Sequence, residues 1–252
     1  MDYYDNGIKE VIQLYPKIGE LLSAYGVDCA TCSVGTCAMG DVLDIHDFSA
    51  DLKRTITEQM DGVIKGRDVD IAAIRYVKEE KEAVYSEPIQ MLVDEHKNIL
   101  RLLDLAEYIA RKKELTAETI DLVNEVVFYV RNYADGRHHA KEENILFVKT
   151  DGSQEVIKAM VAEHVTARAL ISQAAAGAGA GNQAQIRQAL SDYIELLREH
   201  IRKEDKILYP WFDRNMTTEE KSDMMREFEA ADLLSAADLE KNLLKLLDDN
   251  YA

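Results

Sequence analysis

Two ten-residue stretches carry the residue types from which a metal site can be built. They read HHAKEENILF and HIRKEDKILY, so both follow the pattern His-x-x-Lys-Glu-[Glu/Asp]-x-Ile-Leu-[Phe/Tyr]. In the first, His138 stands four residues before Glu142, and in the second His200 stands four residues before Glu204. On a helix this spacing brings both side chains to one face about a turn apart. An imidazole nitrogen and a carboxylate on one face are suitable ligands for a divalent metal ion.

Two more of the six histidines in the chain join this pattern from other segments. His96 lies in DEHK and His164 lies in AEHV, and each segment has the apolar periodicity of an amphipathic helix. The Asp-Gly-Ser at 151–153 and the Ala/Gly run at 174–181 are predicted to be connecting loops. The predicted long helices are 88–112, 116–149, 153–176 and 183–214.

The heights of these histidines along the helices predict that they meet. In an antiparallel pair, residues equidistant from the connecting turn lie side by side, because each helix rises about 1.5 Å per residue. His138 and His164 are both about 13 residues from the turn near 151. An up-down-up-down four-helix bundle would therefore hold four histidines and two glutamates in one layer. The predicted metal ligands are His96, His138, Glu142, His164, His200 and Glu204.

The number and type of these ligands favour two ions over one. Four imidazoles and two carboxylates exceed what one ion usually takes from protein, and they fit two ions bridged by the two glutamates. Nitrogen and oxygen ligands without thiolate favour iron or manganese over a structural zinc. A ferritin-like di-iron site is the rival interpretation, but it would use Glu-x-x-His pairs and further glutamates.

Composition limits the class of protein. The chain has 252 residues and only three prolines, and it is rich in Ala, Leu, Glu and Lys, which predicts an all-α protein. Its formal charge of −17 argues against nucleic acid and anionic membranes as partners. The N-terminal MDYYD has no basic run and no apolar core behind it, which predicts no signal peptide, and no apolar stretch approaches a membrane span. We therefore expect a cytoplasmic protein.

The bundle is one of four predicted segments. Residues 1–64 are predicted to form a small helical domain that contains the cysteines, and 65–87 to form a charged linker. The bundle follows at 88–215. Residues 216–252 are predicted to be a C-terminal helical extension, whose last helices could mediate a homodimer.

Three cysteines, Cys29, Cys32 and Cys37, lie close together in the small domain. Their odd number argues against a disulfide framework and favours a thiol or metal role in a reducing cytoplasm. A Cys-x-x-Cys pair can act as a catalytic redox dithiol. Alternatively, the three thiols could hold an iron–sulfur cluster or a single metal, with His46 or an exogenous ligand. As a third possibility, they are unreactive thiols packed in a small core.

The paired motifs and their spacing resemble the hemerythrin-like (HHE cation-binding) domain over roughly residues 88–214. The resemblance implies two non-heme iron ions joined by an oxo or hydroxo bridge. The ligands that it implies are His96 and His138 for one iron, His164 and His200 for the other, and Glu142 and Glu204 as bridges.

The chain departs from the oxygen-carrying members of that family. They supply one more histidine four residues from the third-helix ligand, whereas this chain has Met160 and Arg168 at the two candidate positions. Their last carboxylate follows its histidine by five residues, which would be Asp205 here. In hemerythrin-like proteins that repair iron centres, the carboxylate follows its histidine by four residues, which would be Glu204 here. We favour Glu204 because it repeats the spacing between His138 and Glu142.

Two neighbours of the ligands are expected to be outer groups. Glu143 and Asp205 directly follow Glu142 and Glu204. They are predicted to lie around the metal ligands without binding metal, or at the protein surface. His139 is less suited than His138 as a ligand, because on an α-helix its direction is rotated by about 100°.

The sequence around Tyr25-Gly26-Val27-Asp28-Cys29 and Cys32 resembles the small N-terminal domain of the repair-of-iron-centres (ScdA/YtfE-like) proteins. Those proteins tend to have adjacent cysteines, whereas this chain has Cys-x-x-Cys-x4-Cys. The resemblance implies protection or repair of iron–sulfur and other iron centres under nitric oxide (nitrosative) or oxidative stress. NO, O2 or peroxide would be the ligand, and damaged iron–sulfur proteins the partners. An enzymatic version would be a di-iron nitric oxide or peroxide reductase, and the alternative is an oxygen carrier or sensor without turnover.

Overall fold

The computed structural model describes residues 3–29, 37–76, 84–149, 155–234 and 238–250. Every regular element in these ranges is a helix, which confirms the predicted all-α class. The chain divides into two compact units, one formed by 1–84 with 153–159 and the other by 85–152 with 160–252. In the described ranges, no helix combines the length and the apolar character that a membrane crossing requires.

The first unit is built from short helices around a small apolar core. Pro16 starts the second helix, since its fixed φ and missing N–H suit a first helical position. Ser49 caps the fourth, because its side chain accepts a hydrogen bond from the backbone nitrogen of Leu52. The helices are α1 (Ile8–Leu14), α2 (Pro16–Ala24), α3 (Val42–Ile45) and α4 (Ala50–Ile64), followed by a 3-10 turn at Ile71–Ala73.

The second unit contains the predicted four-helix bundle and the C-terminal helices. Thr116 caps the second bundle helix, which continues through residue 149 as π-helical and 3-10 turns. The α-helices are α5 (Glu87–Arg111), α6 (Ala117–Tyr129), α7 (Glu155–Ala180, which belongs to this unit from residue 160 onward), α8 (Gln183–Lys203), α9 (Tyr209–Asn215), α10 (Thr218–Leu234) and α11 (Leu239–Asn250). The π-helical segments are Val130–His139, Glu142–Leu146 and Glu204–Leu208.

One apolar core runs through this unit. It combines the inward stripes of α5 to α8 with Leu239, Leu243 and Leu247 of α11, which keep a spacing of four residues along one helix face. The C-terminal extension therefore shares the core of the bundle. The predicted Asp-Gly-Ser turn at 151–153 lies outside the described residues.

The Ala/Gly run at 174–181 corrects a prediction. The third bundle helix is predicted to end at 176 and the run to form a loop, but α7 continues to Ala180. Only then does Gly181 turn the chain, with φ +66°, a backbone conformation that side chains with a Cβ rarely adopt.

The small residues of the run allow α7 and α8 to approach each other closely. A Cβ placed on Gly177 would lie 3.1 Å from the backbone nitrogen of Ile186 and 3.0 Å from its side chain. A Cβ on Gly179 would meet no atom within 4 Å. The sequence of the run indicates a loop because the contact of Gly177 with Ile186 on α8 is not visible in local preferences.

We expect Gly177→Ala to lower the free energy of unfolding relative to Gly179→Ala. Both substitutions gain about 1 kcal/mol of helix propensity, but the first also forces a methyl group against the backbone of α8. Denaturant unfolding followed by circular dichroism measures the difference. Equal stability of the two variants would contradict the close approach.

Candidate metal centre

The four bundle helices carry their histidines and both glutamates into one buried layer. Each of these residues is at most 3% exposed. The ligand atoms form two groups in which all atoms lie within 4.8 Å of one another. One group is His96, His138, Glu142 and Glu204, and the other is His139, Glu142, His164 and His200. All six residues that the sequence predicts are therefore brought together, and His139 joins them.

Each glutamate faces two histidines, one from each of the two groups. Glu142 Oε2 lies 3.8 Å from His138 Nε2 and 3.4 Å from His164 Nε2. The two oxygens of Glu204 lie 3.4 Å from Nε2 of His96 and 3.1 Å from Nε2 of His200. This is the placement that a carboxylate needs to bridge two adjacent ions.

Several polar atoms in the layer are buried without a hydrogen-bond partner. They are His138 Nε2, His139 Nδ1, Glu142 Oε2 and both carboxylate oxygens of Glu204. A buried polar atom without a partner costs free energy, so most such atoms in native proteins are hydrogen-bonded. All of these are nitrogen or oxygen atoms, and all except His139 Nδ1 face another histidine or glutamate of the layer. The residues therefore fit metal ions, which such atoms ligate well.

A ring of outer carboxylates fixes the orientation of the four predicted histidines. In each case a carboxylate from one bundle helix accepts a hydrogen bond at Nδ1 of the histidine on the next helix, which leaves Nε2 directed inward. Around the bundle, the pairs are Glu95 with His138 at 3.0 Å, Glu143 with His164 at 2.7 Å, Glu163 with His200 at 2.8 Å and Asp205 with His96 at 2.8 Å. Glu143 and Asp205 thus occupy outer positions.

His139 enters the layer because its helix is not an α-helix. On an α-helix His139 would be rotated away from His138, but both residues lie at the end of a π-helical segment. A π-helix bonds residue i to i+5 and has a wider turn, so neighbouring side chains diverge less in direction. His139 is stacked on His164, with ring centroids 3.9 Å apart and planes 13° apart. In the sequence, only its position next to His138 indicated that His139 could join the layer. That indication counts once the turn is known to be π-helical.

Arg168 supports the same side of the layer. It occupies one of the two candidate positions for a further histidine ligand, and it donates at 2.7 Å to both Asp135 and Glu143. Asp135 lies 3.5 Å from His139 Nδ1, and Glu143 accepts from His164. Arg168 therefore holds the two outer carboxylates that face these two histidines.

Tyr209 adds a hydroxyl group to the layer. It donates a hydrogen bond to Glu142 Oε1 at 2.6 Å, and its ring is stacked on His96 with the planes 9° apart. Burial, reinforced by Glu142 and Glu204, raises the pKa of this hydroxyl well above its usual range. Tyr209 therefore keeps its proton beside the ligand atoms.

The metal-free layer holds protons that a metal ion must displace. Burial lowers the pKa of His200 and His96, but their carboxylate partners outweigh it and raise the values to about 10 and about 9. Burial raises the pKa of Glu204, but the same two histidines hold it well below its usual range. For Glu142, burial and then the charge of Glu204 raise the pKa well above its usual range.

We expect metal uptake near neutral pH to release about three protons, from His96, His200 and Glu142. The apparent metal affinity should rise with pH, because His96 and His200 lose their protons only as the pH approaches their raised pKa values. Titration calorimetry in buffers of different ionisation enthalpy counts the protons.

The variant Asp205→Asn provides the control for this count. It removes the carboxylate that contributes to the raised pKa of His96, so fewer protons should be released. Uptake without proton release in the unmodified protein would contradict these charge assignments.

The cysteines of the first unit are placed only in part. Cys29 is 6% exposed and belongs to the apolar core of that unit, and Cys37 packs against this core. Cys32 lies outside the described residues. Neither of the two ligand groups found in the described part of the chain contains a cysteine.

Comparison with known proteins agrees with the site. The family model described as Hemerythrin HHE cation binding domain matches residues 87–212. No curated protein and no solved structure shows a significant match. The matched residues span the bundle and all seven members of the two ligand groups.

Proposed function

Since the chain belongs to the hemerythrin HHE cation-binding domain family, we propose that its buried layer holds two non-heme iron ions. The observation that carries this proposal is the position of Glu142 and Glu204, each facing one histidine of either ligand group. We assign His96 and His138 to one iron, with His139, His164 and His200 on the other.

The chemistry of the ligands supports iron. The two groups offer imidazole nitrogens and carboxylate oxygens, without thiolate. Helical bundles that hold paired iron ions use this kind of donor set, whereas structural zinc sites rely mostly on cysteine. Five imidazoles and two carboxylates also provide enough donors for two ions with positions left for a ligand.

His139→Ala should lower the iron content from about two ions per chain toward one, because His139 belongs to one group only. Asn132→Ala is the matched control, since Asn132 is an exposed residue of the same π-helical segment. Iron is counted after anaerobic loading and desalting. Two tightly held ions in the His139 variant would remove this residue from the ligand set.

We propose further that the centre binds and reduces a small oxidant, namely nitric oxide, dioxygen or peroxide. Two bound ferrous ions would supply electrons and open coordination positions. Tyr209 would hold a proton at the edge of the ligand layer through its bond to Glu142. Phe147, stacked near both His164 and Phe212, would help to exclude water.

The wider role we propose is protection or repair of iron centres under nitric oxide or oxidative stress. Its support is the resemblance of the N-terminal cysteine segment, whose thiols would return electrons or receive a damaged cluster. The burial of Cys29 in the apolar core supports a packing role for that thiol instead. The redox and cluster hypotheses therefore rest more on Cys32 and Cys37.

One observation favours the alternative of an oxygen carrier or sensor. The chain lacks the extra third-helix histidine of the oxygen carriers, but His139 brings the number of histidines in the layer to five. A fuller ligand set leaves fewer open positions, which suits reversible binding better than turnover.

An anaerobic experiment separates these functions. The iron-loaded, reduced protein is exposed to dioxygen in one cuvette and to nitric oxide in another, and the optical spectrum is followed while each gas is removed. We expect irreversible oxidation by dioxygen and consumption of nitric oxide, or its retention as an iron-nitrosyl. A dioxygen adduct that forms and disappears reversibly would contradict the reductase function and make the protein a carrier or sensor.

A further inference from the structure

A buried cluster of charged side chains lies directly outside His138. Lys141 is fully buried, and its Nζ lies 2.6 Å from Glu95 Oε1 and 2.6 Å from Asp232 Oδ1. The other oxygen of Glu95 accepts the hydrogen bond from His138 Nδ1 at 3.0 Å. The chain of contacts thus runs from a proposed metal ligand to α10, the helix that carries Asp232.

Arg137 makes a second path to the C-terminal helices. Its guanidinium donates two hydrogen bonds to Asp232, at 3.0 and 2.8 Å, which is the bidentate geometry of a strong ion pair. It also lies 3.1 Å from Glu95 and donates at 3.0 Å to Glu240 on α11. Two cations therefore hold the Glu95 carboxylate: Lys141 is paired with Asp232 of α10, and Arg137 is paired with Asp232 and with Glu240 of α11.

The corresponding arm on the other side of the layer is built differently. There Lys203 pairs with Glu163, which accepts from His200 Nδ1 at 2.8 Å. These three residues belong to α7 and α8, inside the part of the chain that the family model matches. Asp232 and Glu240 lie beyond residue 212, where that match ends.

Burial explains why the acids of α10 and α11 matter for His138. A buried cation that loses a partner is strongly destabilised and must find another or move toward water. Lys141 and Arg137 are both adjacent to Glu95, so a change in their partners moves the carboxylate that orients the imidazole. The ligand atom of His138 is then no longer held toward the layer.

We propose that Asp232 and Glu240 are positioning residues for the metal position at His96 and His138. Through Arg137 and Lys141 they hold Glu95 against His138 Nδ1, so the C-terminal helices tune one metal position and not the other. The inference rests on the proposed pair of metal ions for its effect on binding, while its effect on the imidazole can be read without metal.

The test uses the full chain with Asp232→Asn, and Glu240→Gln as a milder change. Matched controls each break a different ion pair of the same helices: Glu227→Gln removes the 2.7 Å pair with Lys149, and Asp248→Asn removes the 2.5 Å pair with Arg101. Cobalt(II) is titrated into each metal-free protein, and the visible spectrum reports the two binding events separately.

We expect Asp232→Asn to weaken one of the two binding events by about 10- to 100-fold, as loss of a ligand-orienting contact does. The other event, and both events in the two control variants, should match the unmodified protein. Unchanged binding in both positions, or equal weakening of both, would overturn the inference. If the unmodified protein binds fewer than two ions, the proposed function fails instead.

A second measurement needs no metal. Nitrogen NMR of labelled histidines in the metal-free protein reports which ring nitrogen carries the proton. We expect His138 to hold its proton on Nδ1 in the unmodified protein and in Glu227→Gln, and to lose this preference in Glu240→Gln, even if Asp232→Asn does not fold. An unchanged His138 signal in Glu240→Gln and in any folded Asp232→Asn would overturn the positioning role.

Discussion

The rest of the bundle must compensate for the burial of two carboxylates, Glu142 and Glu204, which are fully buried. Removing two carboxylates from water in one layer is expensive unless charge or hydrogen bonds compensate. His96 and His200 face Glu204, and Tyr209 donates to Glu142. In the metal-free protein, protons on this layer limit its net charge. In the proposed metal-bound protein, two cations would take over that role.

The outer layer repeats one device around the bundle. Each helix presents a carboxylate to the histidine of its neighbour, and cations such as Lys141 and Arg168 hold these carboxylates in turn. This arrangement explains residues of the two ten-residue motifs, beginning at His138 and His200, that metal binding alone does not explain. The second acid of each motif accepts a hydrogen bond from a histidine on another helix. The lysine of each motif pairs with the carboxylate that accepts from the first histidine of the same motif.

The sequence predicted the helical class, and it predicted that the six candidate ligand residues meet, because both follow from periodicity and from spacing along helices. The position of His139 in the layer could not be predicted in this way, since it depends on a π-helical turn that no local sequence pattern indicates. The Ala/Gly run was read as a loop because its packing partner, Ile186, lies on another helix. The contacts of Asp232 with Arg137 and Lys141 likewise join segments about 90 residues apart, a distance that periodicity cannot bridge.

The bridged metal pair is the centre of this account, and anomalous diffraction at the iron absorption edge tests it most directly. Crystals of the anaerobically iron-loaded protein should show two peaks in the buried layer, roughly 3–4 Å apart as in other two-metal sites. Glu142 and Glu204 should each lie within bonding distance of both peaks. A single peak, or iron found only outside the layer, would contradict the account.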